Sequence, residues 1–260
     1  MIANARMYSV APAAAQAWRE LLGWVLERAG LAPDWTVIEH AAPAPLPALW
    51  DRADAGCVFM CGLPFAQRRP QPIALAAPLP SPARYAGQSR YATDLVVRVD
   101  SPWQRIEDSF GGRLGWTETH SQSGCQAAAW YLRPHAAQQA GPLHRRVGPL
   151  VTPRKVLQAL LDREIDIGPL DSYAHDLLRL HEPALAAQVR TLATTEFTPM
   201  PLLVAAPDTE PTAVQALRQA LLAVGEEPVL QPLRQALLLD GFAAVRPADY
   251  DLLARRVRAD

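Results

Sequence analysis

Two proline-marked breaks constrain this chain more than any other feature. The first lies near residues 85–92, at the end of the proline- and glycine-rich connection 78–87, and the second is Pro199-Met200-Pro201. Proline fixes φ and removes an amide donor, so such segments end strands and helices. On either side of each break, strand-like and helix-like patterns alternate. That order predicts an α/β fold with mostly parallel sheets and helices on both faces. The breaks predict one lobe built from 1–90 and 201–260, a second from 91–200, and two hinge crossovers with a ligand cleft between the lobes.

The periodicity predicts a strand over 2–8 and a helix over 13–29 (Trp18, Leu21, Leu22, Val25, Leu26), closed by Gly30. Strand patterns follow at 35–39, 57–61 and 73–77. A loop marked by Pro43, Pro45 and Pro47 and a short helix at 49–53 lie between the first two. In the middle piece, strands are predicted over 93–99, 113–117, 165–170 and 189–194. Helices are predicted over 103–110, 124–132, 152–162 and 172–180, and an irregular stretch over 134–148. Pro153 suits a first helical position. After the second break a strand at 202–206 precedes helices over 211–224, 228–239 and 247–257.

Composition excludes several classes. The 260 residues are 50% hydrophobic and 20% charged, ordinary for a globular chain. The formal charge of −1 offers no excess of cations for nucleic acid. Lys155 is the only lysine, so amine chemistry has one candidate. Cys57, Cys61 and Cys125 are too few and too odd for a disulfide framework and fit a reducing compartment; no zinc set completes the C-x3-C pair. No apolar run reaches the ~18–20 residues of a membrane span. The N-terminus shows no export signal, so a cytoplasmic place is expected, or a periplasmic one if a leader has been removed. Neither a cofactor motif nor a nucleophile elbow is present.

In open parallel sheets, ligands collect beyond the carboxyl ends of strands. Four segments fall there. In His120-Ser121-Gln122-Ser123-Gly124-Cys125, hydroxyls and amides at a helix start form either an anion cradle or a plain N-cap. Cys61-Gly62-Leu63-Pro64 is either a close backbone approach to a ligand or a tight turn over a buried thiol. Asp171 is either a ligand acceptor or a helix cap. Tyr8-Ser9 ends the first strand. Asp166 is expected to face solvent or cap. His175 and His181 read as surface residues of one helix, Arg145-Arg146 and Arg255-Arg256 as solvated faces. Trp18, Trp24, Trp50 and Trp103 read as core, and Trp116 as either core or a pocket wall.

Met7-Tyr8, Cys61-Gly62-Leu63-Pro64-Phe65, Ser121-Gln122-Ser123-Gly124, the segment 161–171 and Thr198-Pro199-Met200-Pro201-Leu202 together carry a resemblance. The chain resembles the substrate-binding proteins of phosphate, phosphite and phosphonate ABC transporters, in a soluble branch without an export signal. The resemblance implies a two-lobed type II periplasmic-binding-protein fold that closes over a small anion without covalent chemistry, with a transporter permease as partner and no membrane insertion. It implies ligand contacts by Tyr8, Cys61, Gly62, Tyr91, Ser121, Gln122, Ser123, Gly124 and Asp171. The chain departs from the family at Leu150-Val151-Thr152-Pro153, where a Gly-Ser-His is common. Thr152 keeps one hydroxyl but the imidazole is missing, so a phosphonate, a carboxylate or a larger anion fits as well as phosphate. The alternative is a cytoplasmic enzyme on the same fold, such as a dehydratase of menaquinone formation, with Asp171 or Cys61 as base.

Overall fold

The computed structural model describes residues 1–40, 44–138 and 141–258. Pro43 of the proline-marked loop lies outside the described residues, as do residues 139 and 140 of the stretch expected to be irregular. The chain divides into two compact units, Met1–Arg90 with Pro199–Asp260, and Tyr91–Thr198.

The first segment carries β1 (Ile2–Asn4), α1 (Pro12–Arg28), β2 (Thr36–Val37), α2 (Leu46–Trp50), β3 (Ala55–Met60), α3 (Gly62–Gln67) and β4 (Ile73–Pro80). β5 (Arg90–Tyr91) leads into the second unit. There follow β6 (Thr93–Arg98), β7 (Arg113–Gly115), α4 (Ala127–Ala136), β8 (Arg145–Val147), α5 (Pro153–Leu161), β9 (Gly168–Asp171), α6 (Ser172–His181), α7 (Pro183–Ala186) and β10 (Val189–Thr194). β11 (Thr198–Pro199) pairs with β5 and leads out. The returning segment holds β12 (Leu202–Ala205), α8 (Pro211–Ala223), α9 (Gln231–Ala236), β13 (Leu239–Ala243) and α10 (Asp251–Arg258).

The class is α/β, as expected, but the strand pairing is mixed rather than mostly parallel. In the first unit the order is β13-β4-β12-β3-β1-β2. β1 runs parallel to β2 and β3, whereas β12 opposes β3 and β4, and β13 opposes β4. In the second unit β6 opposes both β9 and β10, while β7 and β8 are parallel. β6 and β12 are each the first full strand after a crossing. A strand that begins at the edge where its neighbours finish has to run the other way. The carboxyl ends of β1, β3 and β4 therefore lie along the edge where β12 starts, and that of β9 lies where β6 starts.

In the first unit β3 is buried along its whole length. Phe59 is its hub: the Tyr8 and Trp18 rings meet it edge-on at 5.2 and 5.1 Å, and Trp50 Nε1–H donates to its carbonyl at 2.8 Å. Burying each of these side chains stabilises the unit by roughly 1.5–3 kcal/mol. In the second unit Leu95 and Val97 of β6 pack with Ala128 and Leu132 of α4, joined by Ile106, Leu114, Leu143 and Ile167.

Several boundaries differ from the sequence expectation, each for a local reason. β1 stops at Asn4, whose Oδ1 accepts the Arg6 N–H at 2.9 Å and turns the chain into a tight 3-10 turn at Arg6–Tyr8. The helix expected over 103–110 is a single turn, Ile106–Ser109, because Asp108 accepts the N–H groups of Gln104 and Arg105. β8 lies inside the stretch expected to be irregular, and α4 continues past Pro134. α9 stops at Ala236, short of the predicted 239, and β13 follows it unpredicted, since Gly241 and an exposed Asp240 hide its strand pattern. Asp166 precedes β9 and forms a two-pronged pair with Arg113, at 2.9 and 2.7 Å.

His144 is buried, and its Nε2 lies 2.9 Å from Ser109 Oγ, whose hydroxyl donates to the Ile106 carbonyl at 2.5 Å. Burial holds this imidazole below the ordinary value of 6.5. The unfolded chain therefore binds the proton more tightly. The stability His144 contributes is whole above about pH 6.5 and is lost as pH falls through its lower folded value. Urea unfolding midpoints should decline between pH 7.5 and 5.5, and His144→Gln should flatten that decline. An unchanged slope in the variant would remove His144 as its source.

Candidate functional site

The sequence-predicted residues divide between the units. In the first, Tyr8 and Cys61 follow β1 and β3 and both are buried. Cys61 caps α3, its carbonyl accepting the Phe65 N–H at 3.1 Å. Gly62 is a packing requirement: a Cβ there would lie 2.7 Å from Tyr250 Cδ1 and 2.8 Å from Leu253 Cδ1. Tyr250 is held in turn by donating to the Met200 carbonyl at 2.8 Å, and burial raises its phenol above the ordinary range. Within the unit, this turn packs tightly over a buried thiol. Cys57, on β3, is pushed up to about 12 by burial and is not a nucleophile at neutral pH.

In the second unit the residues after β7 form a serine turn. Ser121 N–H donates to the Glu118 carbonyl at 3.0 Å, and Ser121 Oγ accepts the Gly124 N–H at 3.0 Å. The capping reading of Ser121 is therefore correct, and its hydroxyl proton is not consumed by that bond. A wide, π-type turn at Gln122–Gln126 runs directly into α4. Gln122 and Gly124 are buried, Ser121 and Ser123 half-buried. Ser123 gives its carbonyl to Thr93 Oγ1–H at 3.0 Å, while its own hydroxyl has no partner among the described residues. Gly124 lies against Thr117: a Cβ would sit 1.8 Å from Thr117 Oγ1, and Thr117 N–H donates to the Gly124 carbonyl at 3.0 Å.

The segment before α5 is pinned to the same loop. Leu150 N–H donates to the Trp116 carbonyl at 2.8 Å and Val151 N–H to the Thr117 carbonyl at 3.3 Å. The Thr152 hydroxyl that sequence reasoning retained for a ligand accepts the Lys155 N–H at 3.2 Å and caps α5. Asp171 ends β9 opposite Thr93. Its Oδ1 accepts the Tyr173 and Ala174 N–H groups at 2.9 and 3.0 Å, so one carboxylate oxygen is committed to capping α6. Tyr91 is buried two residues before Thr93. Thus Tyr91, Ser121, Gln122, Ser123, Gly124 and Asp171 gather around the start of β6.

That start is secured by side chains to which sequence reasoning gave no such role. Ala92 N–H donates to Ser172 Oγ at 3.0 Å and Thr93 N–H to Thr195 Oγ1 at 2.9 Å. Asp94 accepts from Thr194 Oγ1–H at 2.9 Å and meets His175 Nδ1 at 2.8 Å. His175 is not a surface residue: it is 1% exposed and Asp94 0%. The reason is a partner 81 positions away, which no local pattern shows. Thr93 was legible in principle, since it shares the face of Leu95 and Val97 at the spacing of a strand. Arg146 is exposed as expected, yet it stacks 5.5 Å over Trp116 and its Nη2 lies 2.9 Å from Cys125 Sγ. Trp18 and Trp50 are core as expected, whereas Trp24 and Trp103 are half-buried. Among the described residues no cluster is placed to hold a metal ion, and no helix is long and apolar enough to cross a membrane.

Residues 54–250 match the sequence model of a family described as ABC transporter, phosphonate, periplasmic substrate-binding protein. No curated protein matches the sequence. Among solved structures, a binding protein component of an ABC phosphonate transporter from Pseudomonas aeruginosa is similar at 16% identity and TM-score 0.79, over 99% of this chain and 85% of that one. PhnD1 from Prochlorococcus marinus, solved with methylphosphonate, is similar at 13% identity and TM-score 0.77, over 100% and 97%. A Xanthomonas citri protein bound to chloride ion is similar at 17% identity and TM-score 0.70, over 99% and 98%.

The Gly124–Thr117 contact yields a direct test of how the serine turn is held. Gly124→Ala should destabilise the protein by about 1–3 kcal/mol through overpacking. Thr117→Ala should recover part of that loss in the double variant, because it removes the nearest atom. Chemical denaturation of the four proteins measures the coupling; strictly additive losses would mean the two side chains do not set the turn.

Proposed function

We propose that this chain, which belongs to the periplasmic substrate-binding proteins of phosphonate ABC transporters, binds a phosphonate or phosphate-like oxyanion at its serine turn. Substrate binding is the activity of the family; the oxyanion, the residues that hold it and the absence of covalent chemistry are the proposal. The observation that carries it is the Ser123 hydroxyl, half-buried and without a partner among the described residues, at the start of a helix. A helix start carries amide donors and a partial positive charge, and both favour an anion's oxygens. Ser121 adds a second hydroxyl proton, and the Thr93 bond to the Ser123 carbonyl fixes the turn on the sheet. Hydrogen bonds to a charged acceptor are worth roughly 1.5–3 kcal/mol each.

The enzyme alternative needs an accessible nucleophile or base. Cys61, which that reading names as a base, is buried at the start of α3. The Ser109–His144 contact has the residue types of a nucleophile and base, but Ser109 is fully buried and its proton is committed to Ile106. One oxygen of Asp171 caps α6. Family membership and these commitments together favour binding over turnover. The periplasm and a transporter permease are accordingly the place of work and the partner we propose.

The experiment is thermal unfolding against phosphate, phosphite, several phosphonates, sulfate, sulfonates and aromatic carboxylates. A ligand at about 100 times its Kd adds ~2.7 kcal/mol of stability, a shift of several degrees at ~2–4 °C per kcal/mol. The shift should be confined to phosphorus oxyanions. Ser123→Ala should weaken binding of the best of them by ~1.5–3 kcal/mol in titration calorimetry without lowering the ligand-free Tm. Undiminished affinity in that variant would take the serine turn out of the site. A response to carboxylates alone would return the enzyme reading.

A further inference from the structure

Thr117 carries a buried hydroxyl that the fold leaves unused. The residue stands two positions past β7, at the carboxyl end of a strand paired in parallel with β8, where ligands of parallel sheets collect. Both of its backbone groups are engaged: the N–H donates to the Gly124 carbonyl at 3.0 Å, and the carbonyl accepts the Val151 N–H at 3.3 Å. Its hydroxyl has no partner among the described residues, although the residue is only 6% exposed. Buried hydroxyls ordinarily find a partner, because leaving one unpaired is costly. Thr117 Oγ1 is not among the unpartnered atoms that are sealed from solvent, so one side of it stays open.

Gly124 shows where that hydroxyl points. A Cβ on Gly124 would lie 1.8 Å from Thr117 Oγ1 and 2.9 Å from Ser121 Oγ. Unbonded atoms do not approach to 1.8 Å, so the Thr117 oxygen occupies the place that a side chain at 124 would take. The glycine thus admits a hydroxyl from the preceding loop into the serine turn, beside the Ser121 hydroxyl. Ser121 Oγ accepts the Gly124 N–H, which leaves its own proton for another acceptor. Filling the gap does not require an oxygen, since an apolar group would do so without leaving a hydrogen-bonding atom unmet.

We propose that Thr117 is a further binding residue of the oxyanion site, its hydroxyl donating to an oxygen of the anion held by the serine turn. The proposal rests on the reading of that turn as the site, and it adds a donor from outside the turn. Hydrogen bonds to a charged oxygen are roughly twice as strong as those between neutral groups. The bonds from the Thr117 N–H and to its carbonyl hold the donor in place before the anion arrives, which lowers the ordering cost of binding.

The test is titration calorimetry of methylphosphonate and inorganic phosphate against the wild-type protein, Thr117→Ser, Thr117→Ala, Thr117→Val and Ser123→Ala. Thr117→Ser and Thr117→Ala differ by the hydroxyl alone, and Thr117→Val keeps the volume without it. Thr117→Ser should bind close to the wild type. Thr117→Ala and Thr117→Val should each bind about tenfold or more weakly. If Thr117→Ser and Thr117→Ala bind alike, or Thr117→Val binds like the wild type, the hydroxyl is no ligand contact and the proposal falls. A loss in Ser123→Ala would then keep the serine turn as the site. Should Thr117→Val fail to fold, the comparison of Thr117→Ser with Thr117→Ala decides. If the wild type binds neither anion, or Ser123→Ala loses no affinity, the serine-turn reading falls and takes this proposal with it.

Discussion

The first residues of β6 have to be fixed before a site can form around them. They follow a crossing, so the usual strand ladder is incomplete, and buried amides without partners are costly. Side chains complete it. Ser172 exchanges two bonds with Ala92, its Oγ accepting one N–H and its own N–H donating to the Ala92 carbonyl at 3.0 Å. Thr195 does the same with Thr93, at 2.9 Å in both directions. Each hydroxyl takes the place of a backbone carbonyl. With its amide satisfied, Thr93 can turn its own hydroxyl to the Ser123 carbonyl. The serine turn is thus anchored through a chain of neutral hydrogen bonds that begins at the crossing.

The Asp94–His175 pair serves the same segment from the opposite face of the sheet. A buried ion or dipole pair contributes little to net stability, but removing one partner strands the other at a cost of about 3–5 kcal/mol. Asp94 holds β6 to Thr194 of β10 and to His175 of α6 at once. The bond to Asp94 assigns the ring proton to Nδ1. The buried Nε2 has no hydrogen-bond partner among the described residues. The pair specifies where α6 sits, and α6 in turn is capped by Asp171.

What the sequence makes legible is whatever local chemistry decides. Gly30 follows the last turn of α1, Thr152 and Pro153 open α5, and Ser121 and Asp171 stand at helix starts, all from residue type and spacing. The proline-marked breaks fall where the two units divide. What stays hidden depends on partners far along the chain. His175 needs Asp94 to be read as buried, β8 needs β7 to be a strand at all, and Gly62 needs Tyr250 to show why it cannot carry a side chain. The π-type turn after Ser121 is hidden for the same reason, since it is shaped by Thr117 and Thr93 rather than by its own residues.

The serine turn offers neutral donors, while the guanidinium beside it, Arg146, is engaged with Trp116 and Cys125. Lys155 is exposed on α5, Arg113 is held by Asp166, and Arg146 lies over Trp116. A free cation attracts any anion within a Debye length of about 10 Å, whereas an oriented hydroxyl or amide acts only on an acceptor about 2.5–3.2 Å away. A site of neutral donors therefore reads the number and direction of oxygens more than charge.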